Sequence, residues 1–212
     1  MSNPSTSGRR AARRIGVDQG ADFEQRRRII LREAARAFNE KGVENTSLDD
    51  IAARLNVTKP ALYHYVSSKD EFVSLCLAQA MEDNQRLLEE AGQRGGTGLE
   101  QLIYIFERWV QGVVSDFGRS IVLVDLRTLS DASRREHRKA QRQLLRSVES
   151  IIQRGIEDGS VRRCSPAVMA LSLIGLFNSP ARWYREDGGL SIEEIAQELM
   201  ALLTNGVAAS PE

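Results

Sequence analysis

The chain has 212 residues, 42% of them apolar, which is enough to bury a core and argues against disorder throughout. Its 29 basic and 29 acidic side chains cancel, so bulk charge points to neither a nucleic acid nor a membrane. The distribution is uneven: residues 1–66 hold 12 Lys/Arg against 8 Asp/Glu and the remainder 17 against 21, making the amino-terminal third the end able to approach a polyanion.

Cys76 and Cys164 are far apart and lie in no C-x-x-C or His-rich context, so neither a disulfide framework nor a zinc site is expected, and no cofactor. The opening "MSNPSTSGRRAARRIG" lacks the apolar h-region of a secretory signal. The longest nearly apolar run, "AVMALSLIGLF" at 167–177, is far short of a membrane span. A soluble cytoplasmic protein without a membrane partner is the expectation.

Periodicity is helical almost everywhere and alternating runs are absent, so an all-α fold is expected. Residues 1–21 read as a disordered basic arm, in which Arg9, Arg10, Arg13 and Arg14 either enter a minor groove or raise affinity without sequence preference. A first helix is predicted from Asp22 to about Lys41, with Ile30, Ala34, Ala37 and Phe38 as its stripe and Gly42 where a helix would stop. Thr46 or Ser47 caps a second, with Asp49 and Asp50 in its positive first turn and Leu48, Ile51, Ala52 and Leu55 at i, i+3, i+4, i+7. After Asn56-Val57, Thr58 caps a short third helix, with Pro60 in the first turn and Leu62 and Val66 facing inward.

"SSKDEF" restarts a helix capped by Ser67 or Ser68 and running to about Ala91, and "GQRGGTG" at 92–98 is a flexible break. From Leu99 to Phe117 one helical face stays apolar, and Gly118 ends or kinks it. A long helix follows from about Ser133 to Asp158, with Leu144, Val148, Ile151 and Ile152 inside and His137, in "SRREHRKAQR", on a solvated face. Pro166 opens a helix apolar almost all round that reaches about Arg185, and Ser191 caps a last one before Gly206. Residues 207–212 are a disordered tail.

The second and third helices, joined by about three residues and each with one apolar face, make a helix-turn-helix. In that unit the second helix enters the major groove by its amino-terminal residues while neighbouring groups hold phosphates. Thr58, Lys59, Pro60 and Ala61 lie at that tip. Tyr63, His64 and Tyr65 lie opposite buried Leu62 and Val66, and Lys69, Thr46 and Ser47 flank the groove as phosphate donors together with the N–H groups of the second helix.

"TSLDDIAARLNVTKPALYHYVSSKDEF", preceded by "RRRIILREAARAFNEKGVENTS", resembles the DNA-binding segment of TetR-family transcriptional regulators, with Gly42, Thr46, Ile51, Ala52, Val57, Leu62, Tyr63 and Lys69 at the family's characteristic positions. Where the family commonly has Phe then Pro, this chain has Val66-Ser67. The resemblance implies a homodimeric repressor: a helix-turn-helix DNA-binding domain at 22–68 and an effector-binding and dimerisation domain at 69–206. Its operator would be near-palindromic, with recognition helices about 34–36 Å apart in successive turns.

"IEDGSVRRCSPAVMALSLIGLFNSPARWYREDGG" is similar to the subgroup of these regulators that responds to coenzyme A thioesters in fatty-acid or steroid breakdown, through Asn178, Trp183, Tyr184, Arg185 and Gly188-Gly189. A small apolar or acyl-CoA effector is therefore expected, with a non-CoA hydrophobic ligand as the alternative. Tyr104, Phe106, Trp109, Val113, Phe117, Leu123, Leu126, Phe177, Asn178, Arg182 and Trp183 are the candidate pocket residues. The apolar ones are equally what a core requires, and Arg182 with Trp183 suits either a nucleotide or a dimer interface. Dimerisation is expected through the helices near 138–157 and 166–185. No Walker motif, G-x-S-x-G elbow, H-E-x-x-H or paired-carboxylate constellation occurs, so no enzymatic activity is expected; a constitutive DNA-binding protein and, behind it, an enzyme are the remaining alternatives.

Overall fold

The computed structural model describes residues 7–207, with side chains between 23 and 205. Its regular elements are all helical, as the periodicity requires. Helix α1 spans Ser7–Lys41, so its backbone starts well before the expected Asp22, and residues 7–21 are helical where a disordered arm was expected. The side chains of Arg9, Arg10, Arg13 and Arg14, and the tail after Val207, lie outside the described residues. Gly42 terminates α1 at φ 80°, a region where a Cβ would be strained, and its N–H reaches Phe38 O at 2.9 Å.

Helix α2, Leu48–Leu55, begins with a reciprocal box: Asp50 N–H donates to Ser47 Oγ and Ser47 N–H to Asp50 Oδ2. Asn56, at φ 53°, stops it. Helix α3, Lys59–Leu62, is one turn. Helix α4, Lys69–Arg94, is capped by Ser68. Ile51, Leu62, Val66, Phe72 and Cys76 join Ala34 and Phe38 of α1 in one buried cluster. A fully buried Phe72 contributes about 1.5–3 kcal/mol from the removal of its ring from water.

The remaining helices enclose a second cluster. They are α5, Gly98–Val113; α6, Asp116–Leu123; a 3₁₀ turn at Leu126–Thr128; α7, Asp131–Glu157; α8, Pro166–Asn178; α9, Pro180–Trp183; and α10, Ile192–Val207. Leu102, Ile105, Phe106, Val110, Val148, Ile152, Phe177 and Leu203 form the centre of this cluster. Where α5 starts, Gly98 lies so close to α7 that a Cβ there would sit 2.3 Å from the Gly155 backbone.

Two breaks fall elsewhere than expected. The chain turns at Val114-Ser115, not at Gly118, because Ser115 Oγ accepts from Gly118 N–H and begins α6 as a new capped helix. The apolar helix ends at Asn178 rather than near Arg185, because Pro180 has no N–H to continue the ladder.

Helix α6 touches both clusters. Phe117 is buried in the amino-terminal one, and Asn39 Nδ2 of α1 donates to Asp116 O at 2.7 Å while Arg36 Nε reaches Asp116 Oδ1 at 3.0 Å. Ile121, one turn on, packs against both.

Candidate nucleic-acid interface and effector cavity

The α2–turn–α3 unit presents Thr58, Tyr63 and His64 to solvent, with Tyr63 50% exposed. Thr58 occupies the N-cap of α3, but its hydroxyl makes no capping bond and is free to contact a partner. Pro60 is exposed and Ala61 half-buried at the same tip. Lys59 Nζ donates to Asp49 Oδ2 at 2.8 Å, and this hydrogen bond raises the lysine's pKa, keeping it protonated. Ser47 is exposed, although its hydroxyl and N–H are both engaged with Asp50.

Three of the side chains expected to contact DNA have partners within the protein. Thr46 is buried, and its hydroxyl donates to Gly42 O at 2.8 Å and lies 3.2 Å from Ala37 O, so it ties off the end of α1. Tyr65 is half-buried because its ring stacks on Phe23, with centroids 5.0 Å apart. Lys69 Nζ donates to Val43 O at 2.7 Å and Thr46 O at 3.0 Å, clamping the α1–α2 loop to the start of α4. An ammonium has three donors and no acceptor, so one N–H of Lys69 is left to face outward.

An apolar cavity of about 340 Å³ lies among α4, α5, α6, α7 and α8. Met81, Ile121, Leu144, Leu145, Leu171 and Ile174 supply its apolar wall. Trp109 Nε1 donates to Asn178 Oδ1 at 2.8 Å, which satisfies the indole N–H and fixes both side chains in the lining. Arg138, Gln141 and Arg142 add polar groups from α7, and both arginines are exposed.

Of the expected pocket residues, this cavity gathers Trp109 and Asn178. Phe106 and Phe177 stack on each other at 4.5 Å in the core, and Val113 is buried beside them. Phe117 and Leu126 pack on the amino-terminal cluster, and Leu123 is exposed. Tyr104 lies beneath Arg94 and Arg108, its ring 3.8 Å from the Arg108 guanidinium carbon, and donates to Glu90. Arg182 donates to Val122 O at 3.0 Å in a separate polar cleft, and Trp183 is 50% exposed. Arg138 and Arg142 are not among the expected pocket residues, but they belong to the charge run "SRREHRKAQR", which in the sequence reads as either a plain surface helix or a site for coenzyme A phosphates, and their spacing of four puts both on one helix face. His137 is also corrected: it is 6% exposed, not solvated, and burial lowers its pKa.

Residues 30–76 match the family described as bacterial regulatory proteins, tetR family, and residues 95–207, over half of the chain, match the tetracyclin repressor-like, C-terminal domain. The chain is 26% identical over 203 residues to the HTH-type transcriptional repressor KstR2 of Mycolicibacterium smegmatis, covering 92% of this chain and 97% of that protein. Its fold superposes on PfmR of Thermus thermophilus with a TM-score of 0.75 and 28% identity, over 83% of this chain and 97% of that one. It also shares the fold of AibR, solved in complex with isovaleryl coenzyme A and operator DNA, with a TM-score of 0.73 and 24% identity over 84% and 97% of the two chains. No helix among the described residues is long and apolar enough to cross a membrane. With its helix-turn-helix, its second helical core and matches over both, the chain belongs to the TetR family of bacterial regulators, as a ligand-responsive DNA-binding transcriptional regulator and not an enzyme.

Proposed function

We propose that the protein is a repressor that grips a near-palindromic operator as a homodimer and releases it when a coenzyme A thioester of a small apolar acid enters the cavity around Trp109. Residues 22–68 act as the DNA-binding head in this reading, and 69–206 as the effector and dimerisation body. Thr58, Lys59, Pro60, Ala61, Tyr63 and His64 meet the duplex, with Ser47 beside them.

The observation that carries the proposal is the double attachment of α6. Ile121 lines the cavity while Asp116, Phe117 and Ser120 on the same helix hold α1 of the head. An occupant that moves α6 therefore acts on the head directly. Such coupling requires the effector to prefer the DNA-incompetent arrangement, since equal affinity for both would shift nothing.

The chemistry of the lining selects the ligand class. A space of about 340 Å³ takes an acyl group but not a whole coenzyme A thioester. The coenzyme would extend past Arg138 and Arg142, whose guanidinium groups fork onto phosphate. AibR binds isovaleryl coenzyme A, and the structure of KstR2 from Mycobacterium tuberculosis is that of a ketosteroid transcriptional regulator. Both are consistent with this assignment.

Dimerisation suits the outer face of α8, where Val168 is 63% and Leu171 59% exposed one turn apart. Because Leu171 also lines the cavity, a partner seated there would cover one of its walls.

The test begins by sequencing genomic fragments retained by the purified protein, then titrating the recovered operator with acyl-CoA thioesters and the matching free acids. A thioester should release the operator where its free acid does not. Replacing Arg138 and Arg142 together with Ala should weaken that response about tenfold while leaving operator affinity intact. Release by free acid and thioester alike, unchanged in the double variant, would replace the coenzyme with a plain hydrophobic effector. Val168→Arg should produce monomers in sedimentation and lose operator binding; a dimeric variant would remove α8 from the interface.

A further inference from the structure

A second cavity, of about 490 Å³, opens between the first turns of α4 and the start of α7. It shares only Met81 with the effector cavity, so the two lie on either side of that side chain. Among the described residues four carboxylates line it, from Asp70, Glu71, Glu82 and Glu136, and no lysine or arginine does. Two of the four are already engaged. Asp70 accepts from Ser130 N–H at 2.7 Å and from the Ser130 and Ser133 hydroxyls at 3.0 and 2.7 Å, and Glu71 accepts from Ser67 N–H and hydroxyl at 2.6 and 2.5 Å. Glu82 and Glu136 are exposed.

Among the described residues two buried side-chain polar atoms have no hydrogen-bond partner, Ser74 Oγ and His137 Nε2, and both residues belong to this wall. His137 is only 6% exposed. A buried polar group left unpaired is costly, and each one in a native fold calls for a partner that supplies the missing bond. Their coincidence in one cavity, ringed by carboxylates and floored by Leu75, Leu77, Ala78 and Ala140, calls for an occupant.

We infer that this cavity is a binding site for a small organic cation, a primary ammonium group carried on a short apolar body. An ammonium offers three donors and no acceptor, matching a wall whose unmet groups can all accept: the serine hydroxyl, an imidazole nitrogen and the free carboxylates. A carboxylate or phosphate would instead face four negative groups with no cation to answer it. The apolar side chains take the alkyl part. The site is separate from the thioester cavity and does not depend on it. Asp70 joins the start of α4 to the cap of α7 at its edge, so an occupant sits at a strut between the amino-terminal cluster and the body.

The full chain, titrated with hexylammonium at neutral pH, tests this by calorimetry and by the imidazole resonances of its two histidines. Saturable heat is expected, with the His137 signal moving at the same midpoint and exposed His64 unmoved. Hexan-1-ol and hexanoate should bind at least about tenfold more weakly. Ser74→Ala and Glu136→Gln, the second at an exposed position that leaves folding intact, should each lower hexylammonium affinity about threefold or more. Ile174→Trp, which fills the effector cavity, should leave it unchanged. Absence of saturable heat, an unmoved His137 signal, or equal binding of the alcohol or the acid would overturn the assignment. So would titration that survives both Ser74→Ala and Glu136→Gln but fails in Ile174→Trp.

Discussion

Lys59 stands at the tip of the recognition helix, yet its ammonium already donates to Asp49 at 2.8 Å. A phosphate approaching that tip meets the lysine and the aspartate together. Asp49→Asn removes the competing charge and should strengthen operator binding about two- to fivefold at low salt, with the gain shrinking as salt screens it. Fluorescence anisotropy at several salt concentrations reads this directly, and an affinity that is unchanged or lower would take Lys59 out of the interface. Lys69 makes the opposite case. Its bonds to Val43 O and Thr46 O are internal, so Lys69→Met should cost about 1–3 kcal/mol of stability by taking the donor from Thr46 O and leaving Val43 O only the 3.4 Å bond from Thr46 N–H. The salt dependence of operator binding should change by no more than one phosphate contact. A variant of wild-type stability with a large loss of DNA affinity would restore Lys69 as chiefly a phosphate donor. These two lysines mark what was legible at this scale. The capping serines and the apolar stripe are local, and Ser47, Leu62 and Val66 behave as their spacing dictates. Which donors are spent internally depends on partners distant in sequence: Lys69 on Val43, Tyr65 on Phe23, Thr46 on Ala37.

Among the elements, the helices were readable and their interruptions were not. An apolar stripe continues across Val114-Ser115, so periodicity alone gives one helix where the chain builds two; the discontinuity comes from the Ser115 hydroxyl, which competes for the next turn's N–H. The same limit applies to the cavity. Phe106, Phe177 and Trp109 are equivalent in the pattern, and only packing decides that the first two stack in the core while the third lines a space. Gly98 is a case where spacing gave a break and packing gave a purpose. Its missing side chain lets α5 start against Gly155 of α7, and a Cβ would meet backbone that no rotamer change can move. Gly98→Ala should therefore destabilise the fold by about 1–3 kcal/mol, although alanine is the better helix former. Thermal unfolding measures this, and a variant as stable as the parent would mean that α5 and α7 part there at little cost.

For the whole molecule, acid should loosen the structure in two separable stages, because the groups between α4 and α7 titrate in different windows. Burial pushes the imidazole of His137 down, so the folded state holds it neutral while the unfolded chain takes a proton near the ordinary value of about 6.5. The unfolded state then binds more protons. Stability is complete above that pH and falls as pH drops toward the folded value. The carboxylates facing His137 are Asp70, Glu71 and Glu82 on α4 and Glu136 beside it on α7. Burial alone would raise Asp70, but the Ser130 N–H and the two serine hydroxyls hold it below its usual range, and the Ser67 hydroxyl and N–H lower Glu71. Their contributions persist through the histidine window and fade only below about pH 4, where carboxylates protonate. Denaturation between pH 8 and 5 should thus show a loss of stability that His137→Gln lacks. Parallel curves for the parent and His137→Gln would mean that the four carboxylates compensate the buried charge fully, and the loosening would then begin only in the carboxylate range.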